Sequence, residues 1–232
     1  MILLLETATL NCSVALAHPD GTLAGRRDES ADKHQHAERL HVLIDALLTE
    51  CAVAKRDLTA VAVGCGPGSF TGLRIGTSAA KGICAGLGLP LVAPSPLQAL
   101  RHLGIQHAPG LADQTDRILP AIDARRMEVF TLDAEGQPAA VIVDADFRAD
   151  LGTGPALLIG DGAVKCQDIL SGSALDWTCV DAFPTAADLI PEAVRLLAAG
   201  STESVADYEP HYLKDFVPGR PKDPLGLRTP SA

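Results

Sequence analysis

The sequence predicts an α/β protein of two successive lobes of the same kind, each opening on a meander of strands. Three observations predict it. The apolar fraction is 47% with only 3% aromatic, so Ala, Leu, Val and Ile must build the core. Such a core suits closely packed helices on a sheet and argues against a disordered chain. Strand-length apolar runs, an amphipathic helical stretch and a Gly-rich loop entering a second helix give the order βββαβα by residue 93. A looser echo of that order begins near residue 117, which points to a duplicated lobe and not to a doubly wound sheet.

The first lobe reads clearly. "ILLLET" (2–7) and "CSVALAH" (12–18) are strands, and "PDGT" at 19–22 is a tight turn, so residues 12–28 form a hairpin. Leu40, Leu43, Ile44, Leu47 and Leu48 then mark one face of a helix over 32–52. "LTAVAVG" (58–64) is a buried strand, followed by the glycine loop, a helix over 71–88 and a short strand at "LPLVA".

The second lobe has "RILPAIDA" (117–124) and "MEVFTLDA" (127–134) as strands about a corner at Arg125–Arg126, then "AAVIVDA" (139–145). "ALLIGDGA" (156–163) ends a strand in a turn that "VKCQDIL" continues as a helix. "ADLIPEAVRLLAAG" (187–200) is a helix stopped by Gly200, with Pro191 placed to kink it. The Pro/Gly-rich stretch 217–232 is expected to be a disordered tail.

Composition narrows the function. A net charge of -10 disfavours a stand-alone nucleic-acid binder but is compatible with a subunit whose partner holds the nucleic acid. The opening "MILLLETATL" is too short for a signal peptide or a span, and nothing later approaches spanning length, so a cytoplasmic protein without membrane contact is expected. The six cysteines are scattered without a C-x-x-C pair and read as reduced, buried thiols.

The named phosphate and nucleophile motifs fail around Gly64, Gly66, Gly68 and Gly72. A dinucleotide fingerprint needs Gly at Ser69, no Gly-Lys pair completes a P-loop, and a serine elbow needs Gly at Pro67 and Thr71. Two readings of the loop remain: backbone amides that cradle an anion, or a backbone thinned so that another surface can approach. Ser69 and Thr71 are candidate N-caps of the following helix under either reading.

His34, His36 and His41 lack the i, i+4 spacing of a helical metal pair, so no metal site is expected. Glu6 and Asp123, at strand ends, are the best-placed carboxylates for acid–base work, and each is equally able to cap a turn. No catalytic constellation emerges. The helix at 71–88 carries five glycines and is apolar almost all round, so it must be buried, in its own lobe or against a partner.

Five stretches carry a family resemblance: "LLLETATLNCSVAL", "HAERL", "VGCGPGSFTGLRIGTSAAKGICAGLGLPLVAPSPLQAL", "PAIDARRMEVF" and "EPHYLKDF". Together they resemble the TsaB family, also called YeaZ, over most of residues 1–216, with 134–204 only loosely matched. The resemblance implies the actin-like/Hsp70-like ATPase fold of two RNase-H-like lobes. The first lobe would hold 1–98 and recover about 205–216, and the second would hold 99–204.

It implies a non-catalytic scaffold for tRNA threonylcarbamoyladenosine synthesis, dimerising with a TsaD-like catalytic subunit and joined by a TsaE-like ATPase. tRNA would be met through that complex. No intrinsic cofactor is implied, though ATP or ADP could sit at the interface, and the chain alone could form a homodimer. Leu40, Leu43 and Leu47 of the first helix would form the interface, with Gly72, Arg74, Ile75 and Gly76 of the second. Ala79, Ala80 and Ile83 would extend it.

A vestigial nucleotide or phosphate loop would comprise Glu6, Thr7, Gly66, Gly68, Ser69 and Thr71. The chain departs from the family pattern at Glu6, where Asp is usual, and at Cys65, where Arg is common. The longer Glu would displace a coordinated ion, and the missing Arg removes a cation. The weaker readings are a glycoprotease-like peptidase and a free-standing ATPase or kinase of the same fold.

Overall fold

The computed structural model describes residues 1–30 and 35–214. The expected start of the first helix at Asp32, the His34 reading and the 217–232 tail lie outside the described residues.

The first lobe is a five-stranded sheet in the order β3-β2-β1-β4-β5. Its strands are β1 (Ile2–Glu6), β2 (Asn11–Ala17), β3 (Leu23–Ser30), β4 (Ala60–Val63) and β5 (Leu91–Val92). The meander β1–β2–β3 is antiparallel, and β4 and β5 add in parallel to β1. Strands β1, β2 and β4 are buried on both faces, which is why they read as continuous apolar runs and not as alternation.

One face of this sheet is covered by α1 (His36–Glu50) and α2 (Phe70–Leu87). Leu3, Leu5, Val14 and Leu16 meet Leu40, Leu43 and Leu47 from α1 and Ala79, Ala80 and Cys84 from α2. Ser69 caps α2 by accepting the Gly72 N–H at 3.3 Å, whereas Thr71 lies exposed inside the first turn and is not a cap. Gly88, in the left-handed conformation with φ 66°, ends α2.

The opposite face carries α5 (Ile190–Ala198), whose Ile190 and Ala193 pack with Ala186 and Leu189 on Ile2, Leu4, Ala15 and Ala17. This segment therefore shares the first lobe's core, contrary to its expected place within 99–204, because its apolar side chains complete that lobe's second layer. Pro191 sits in the first turn of α5, where no N–H is needed, so it starts the helix and does not kink it.

The second lobe repeats the pattern in pieces. Strands β6 (Ile118–Pro120), β10 (Gly154–Ile159) and β11 (Leu175–Val180) are parallel in the order β11-β10-β6. Strands β7 (Ile122–Asp123), β8 (Glu128–Leu132) and β9 (Pro138–Ile142) form an antiparallel sheet. Only Ala121 separates β6 from β7, and its N–H still reaches the Ile159 carbonyl at 2.7 Å.

The order across both sheets, β9-β8-β7/β6-β10-β11, is thus that of the first lobe. Pro120, which offers no N–H, stands where the single expected strand divides. Helix α3 (Pro96–His107), absent from the sequence reading, covers this sheet with Leu97 and Leu100 against Ile122, Phe130 and Leu132. The helix expected over "VKCQDIL" is there as a 3-10 turn (Val164–Cys166) that runs into short α4 (Gln167–Leu170). Strand β11 was likewise not anticipated.

Candidate interaction surface

The glycine loop is filled by this chain's own backbone. A Cβ at Gly68 would overlap the Ala8 carbonyl, one at Gly72 the Thr7 carbonyl, and one at Gly76 the Thr7 hydroxyl. The turn after β1 therefore lies directly on the loop and on the first turns of α2. Thr7 completes the contact by donating its hydroxyl to the Gly72 carbonyl at 2.9 Å. Of the loop's amides, Gly64 donates to Leu5, Cys65 to Pro94 and Ser69 to Ala8, at 3.0, 2.9 and 2.7 Å. Gly66, with φ 88°, joins Pro67 through a cis peptide bond. The arrangement packs the loop closely against the turn after β1.

Glu6 does not fit the role of a phosphate or metal carboxylate. It is fully buried, with Oε1 accepting the Ala8 N–H at 2.6 Å. Burial, with a smaller push from Asp188, raises its carboxyl to about 8, so it is neutral at pH 7. Cys65 is buried too, and burial pushes its thiol up to about 12.

In the second lobe Asp123 closes the strand corner. Its Oδ1 accepts the Arg125 N–H at 2.7 Å and pairs with Lys165, and its own N–H donates to Asp161 at 3.0 Å. Arg125 and Arg126 take the left-handed conformation at φ 67° and 52°, making the tight corner expected there. Among the described residues no three His, Cys, Asp or Glu side chains gather as a metal site. His36 is buried with Nε2 2.8 Å from the Thr9 carbonyl, and His107 Nδ1 lies 3.0 Å from the Leu103 carbonyl.

A shallow groove of about 700 Å³ runs along the outer flanks of α1 and α2. Ala37 and His41 line it from α1; Phe70, Thr71, Arg74, Ile75, Ser78, Gly82 and Ile83 line it from α2, over Ala79. Arg74 rests over the Phe70 ring at 5.2 Å, and Tyr212 packs against the same ring at 4.9 Å.

The expected interface positions divide accordingly. Arg74, Ile75 and Ile83 face the groove, and Ala79 forms part of its floor. Leu40, Leu43 and Leu47 are in the core, as are Gly72, Gly76 and Ala80, so none of these six presents a surface to a partner. A 3.6-residue period states that a helix has an apolar face, but α2 is apolar nearly all round and its phase stays undetermined. Sequence reasoning missed Ala37, His41, Phe70, Ser78 and Gly82. A signal for the last was present: a mid-helix glycine that no cap or turn requires.

Comparison with known proteins adds to this geometry. The sequence pattern of TsaD, tRNA N6-adenosine threonylcarbamoyltransferase, matches residues 29–145. The chain is 31% identical over 228 residues to the tRNA threonylcarbamoyladenosine biosynthesis protein TsaB of Escherichia coli, covering 93% of this chain and 95% of that protein. The chain belongs to the TsaB family.

The TsaB of Bacillus subtilis is 35% identical over 130 residues, 56% of this chain and 53% of its own. The solved structure of YeaZ from Pseudomonas aeruginosa superposes with a TM-score of 0.66 at 29% identity, covering 91% of this chain and 99% of that one. A second structure from the same organism, described as similar to peptidase YeaZ, gives 0.69 at 28%, covering 92% and 99%. The fold is therefore the actin-like one, and the two strand meanders are its paired lobes.

Proposed function

We propose that this chain is a non-catalytic scaffold in the synthesis of tRNA threonylcarbamoyladenosine, and that the α1–α2 groove docks a TsaD-like catalytic subunit. The observation that carries the reading is Gly82. It lies exposed in the middle of α2, and a Cβ there would meet nothing within 4 Å among the described residues. An exposed helical glycine costs about 1 kcal/mol relative to Ala, and nothing among the described residues repays it. A second backbone brought close across the groove would.

The match to TsaD, which spans α1, α2 and α3, supports a partner of that kind. A partner carrying a related helix pair can lay it across this one about an approximate twofold axis. The isolated chain could use the same face to pair with a second copy. A TsaE-like ATPase, and ATP or ADP between the subunits, belong to the same proposal, with tRNA held by the partner because this chain carries a charge of -10. The assembly would work in the cytoplasm; among the described residues no helix is long and apolar enough to cross a membrane.

Light scattering of the chain alone and mixed with a TsaD homologue from the same cell tests the proposal. A one-to-one complex that Ser78→Trp abolishes, with an unchanged melting temperature for the free variant, is the expected result. Failure to form any complex overturns it.

A further inference from the structure

The C-terminal segment 203–214 runs as a strap across both lobes. Glu203 donates its N–H to the Leu91 carbonyl at 2.8 Å, adding a bridge to the edge of β5. Lys81, on the flank of α2, donates to the carbonyls of Ala206 and Tyr208, both at 3.0 Å. Tyr208 is buried in the first lobe's core, and His211 donates its N–H to the Cys65 carbonyl at 2.8 Å. At the far end Lys214 donates to the Ala124 carbonyl at 3.1 Å, pairs with Glu128 and lies over the Phe130 ring.

Between those anchors the strap carries two of the large apolar side chains that the described surface exposes, Tyr212 at 39% and Leu213 at 37%. The Tyr212 ring abuts Phe70, which lines the groove, and Arg74 lies over that same Phe70 ring.

We infer that the strap is a third wall of the partner surface, and that Tyr212 is a contact residue for the TsaD-like subunit. The inference rests on the function proposed above. Three features support it. The Phe70–Tyr212 pair makes the strap continuous with the groove. Anchoring on either side holds the Tyr212 backbone in place before binding, which lowers the ordering cost of association. Finally, a rigid, half-exposed Tyr beside an Arg is the side-chain chemistry that dominates the energetics of protein interfaces. Lys214 is then a positioning residue: its hold on Glu128 and Ala124 fixes the strap without touching the partner.

The test is calorimetric titration of the full-length chain with the TsaD homologue, using Tyr212→Ala, Tyr212→Phe and the groove variant Ser78→Trp. Tyr212→Ala is expected to weaken the complex about tenfold or more, and Tyr212→Phe to stay near wild type because it keeps the ring. An affinity for Tyr212→Ala within about twofold of wild type, with Ser78→Trp still blocking the complex, removes the strap from the interface and leaves the groove standing. Should neither Tyr212→Ala nor Ser78→Trp alter binding, the docking reading itself falls. If Tyr212→Ala lowers the melting temperature, amide exchange of residues 209–214 in the unmodified chain decides: added protection on binding supports the third wall, and none overturns it.

Discussion

The carboxyl group of Glu6 lies against the α-carbon of Gly64, so closely that a Cβ there would overlap its Oε2 atom. That oxygen is buried without a hydrogen-bond partner among the described residues, while its twin accepts the Ala8 N–H at 2.6 Å. A buried oxygen without a donor is costly as an anion and tolerable as a protonated acid. The pairing of a glycine with a buried, protonated acid makes this strand end part of the internal packing.

The same contact makes stability depend on pH. The unfolded Glu6 ionises at its ordinary value of 4.5, whereas the folded one holds its proton to about 8. Between those values the folded chain binds the extra proton, so stability falls as pH rises from 4.5 towards 8 and this group adds no further change above it. At about 1.4 kcal/mol per unit the loss is on the order of several kcal/mol. Glu6→Gln, neutral throughout, is expected to melt close to wild type at pH 5 and well above it at pH 8. A gap between the two melting curves that does not widen with pH would show that Glu6 ionises freely in the fold.

Gly72 tests the packing loop. Its neighbour is the Thr7 backbone carbonyl, which cannot swing aside as a side-chain end would. Gly72→Ala is therefore expected to destabilise the chain by about 1–3 kcal/mol in urea unfolding, although Ala is the better helix former. The Gly76 position, beside the Thr7 hydroxyl, argues the same way: a large residue there breaks the monomer before it can report on any partner. Wild-type stability for Gly72→Ala would mean that the β1 turn does not rest on the loop.

Most of the first lobe was legible because its signals are local. Two apolar runs flanking "PDGT", and the i, i+3, i+4 leucines of α1, fix their elements without reference to the rest of the chain. The second lobe was less legible because its signals are divided. The strand "RILPAIDA" splits at Pro120 between two sheets. Helix α3 announces itself only through Ser95 and Pro96, an N-cap followed by proline in the first turn.

The place of α5 could not be read at all, since its buried Ile190 and Ala193 fit either sheet until the chain closes. The candidate groove was legible as to helices and not as to faces. Of the expected interface residues, Arg74, Ile75 and Ile83 line the groove and Leu40, Leu43 and Leu47 do not, because the chain's own sheet claims those leucines first.

Gly82 is the position where the proposed docking and the stability of the free chain make opposite demands. The position is exposed, and among the described residues nothing lies within 4 Å of the Cβ that any larger residue would add. Gly82→Leu is therefore expected to stabilise the isolated chain by somewhat under about 1 kcal/mol through helix propensity. In a protein of this size that amounts to a rise of about 2–4 °C in Tm for each kcal/mol. The same side chain would stand in the groove between Ser78 and Ile83 and hold a second backbone away. Titration with the TsaD homologue should thus show a more stable chain that binds less, by about tenfold or more. A variant that gained stability and bound as before would mean that the glycine admits no partner, and the groove would lose the observation on which its role rests.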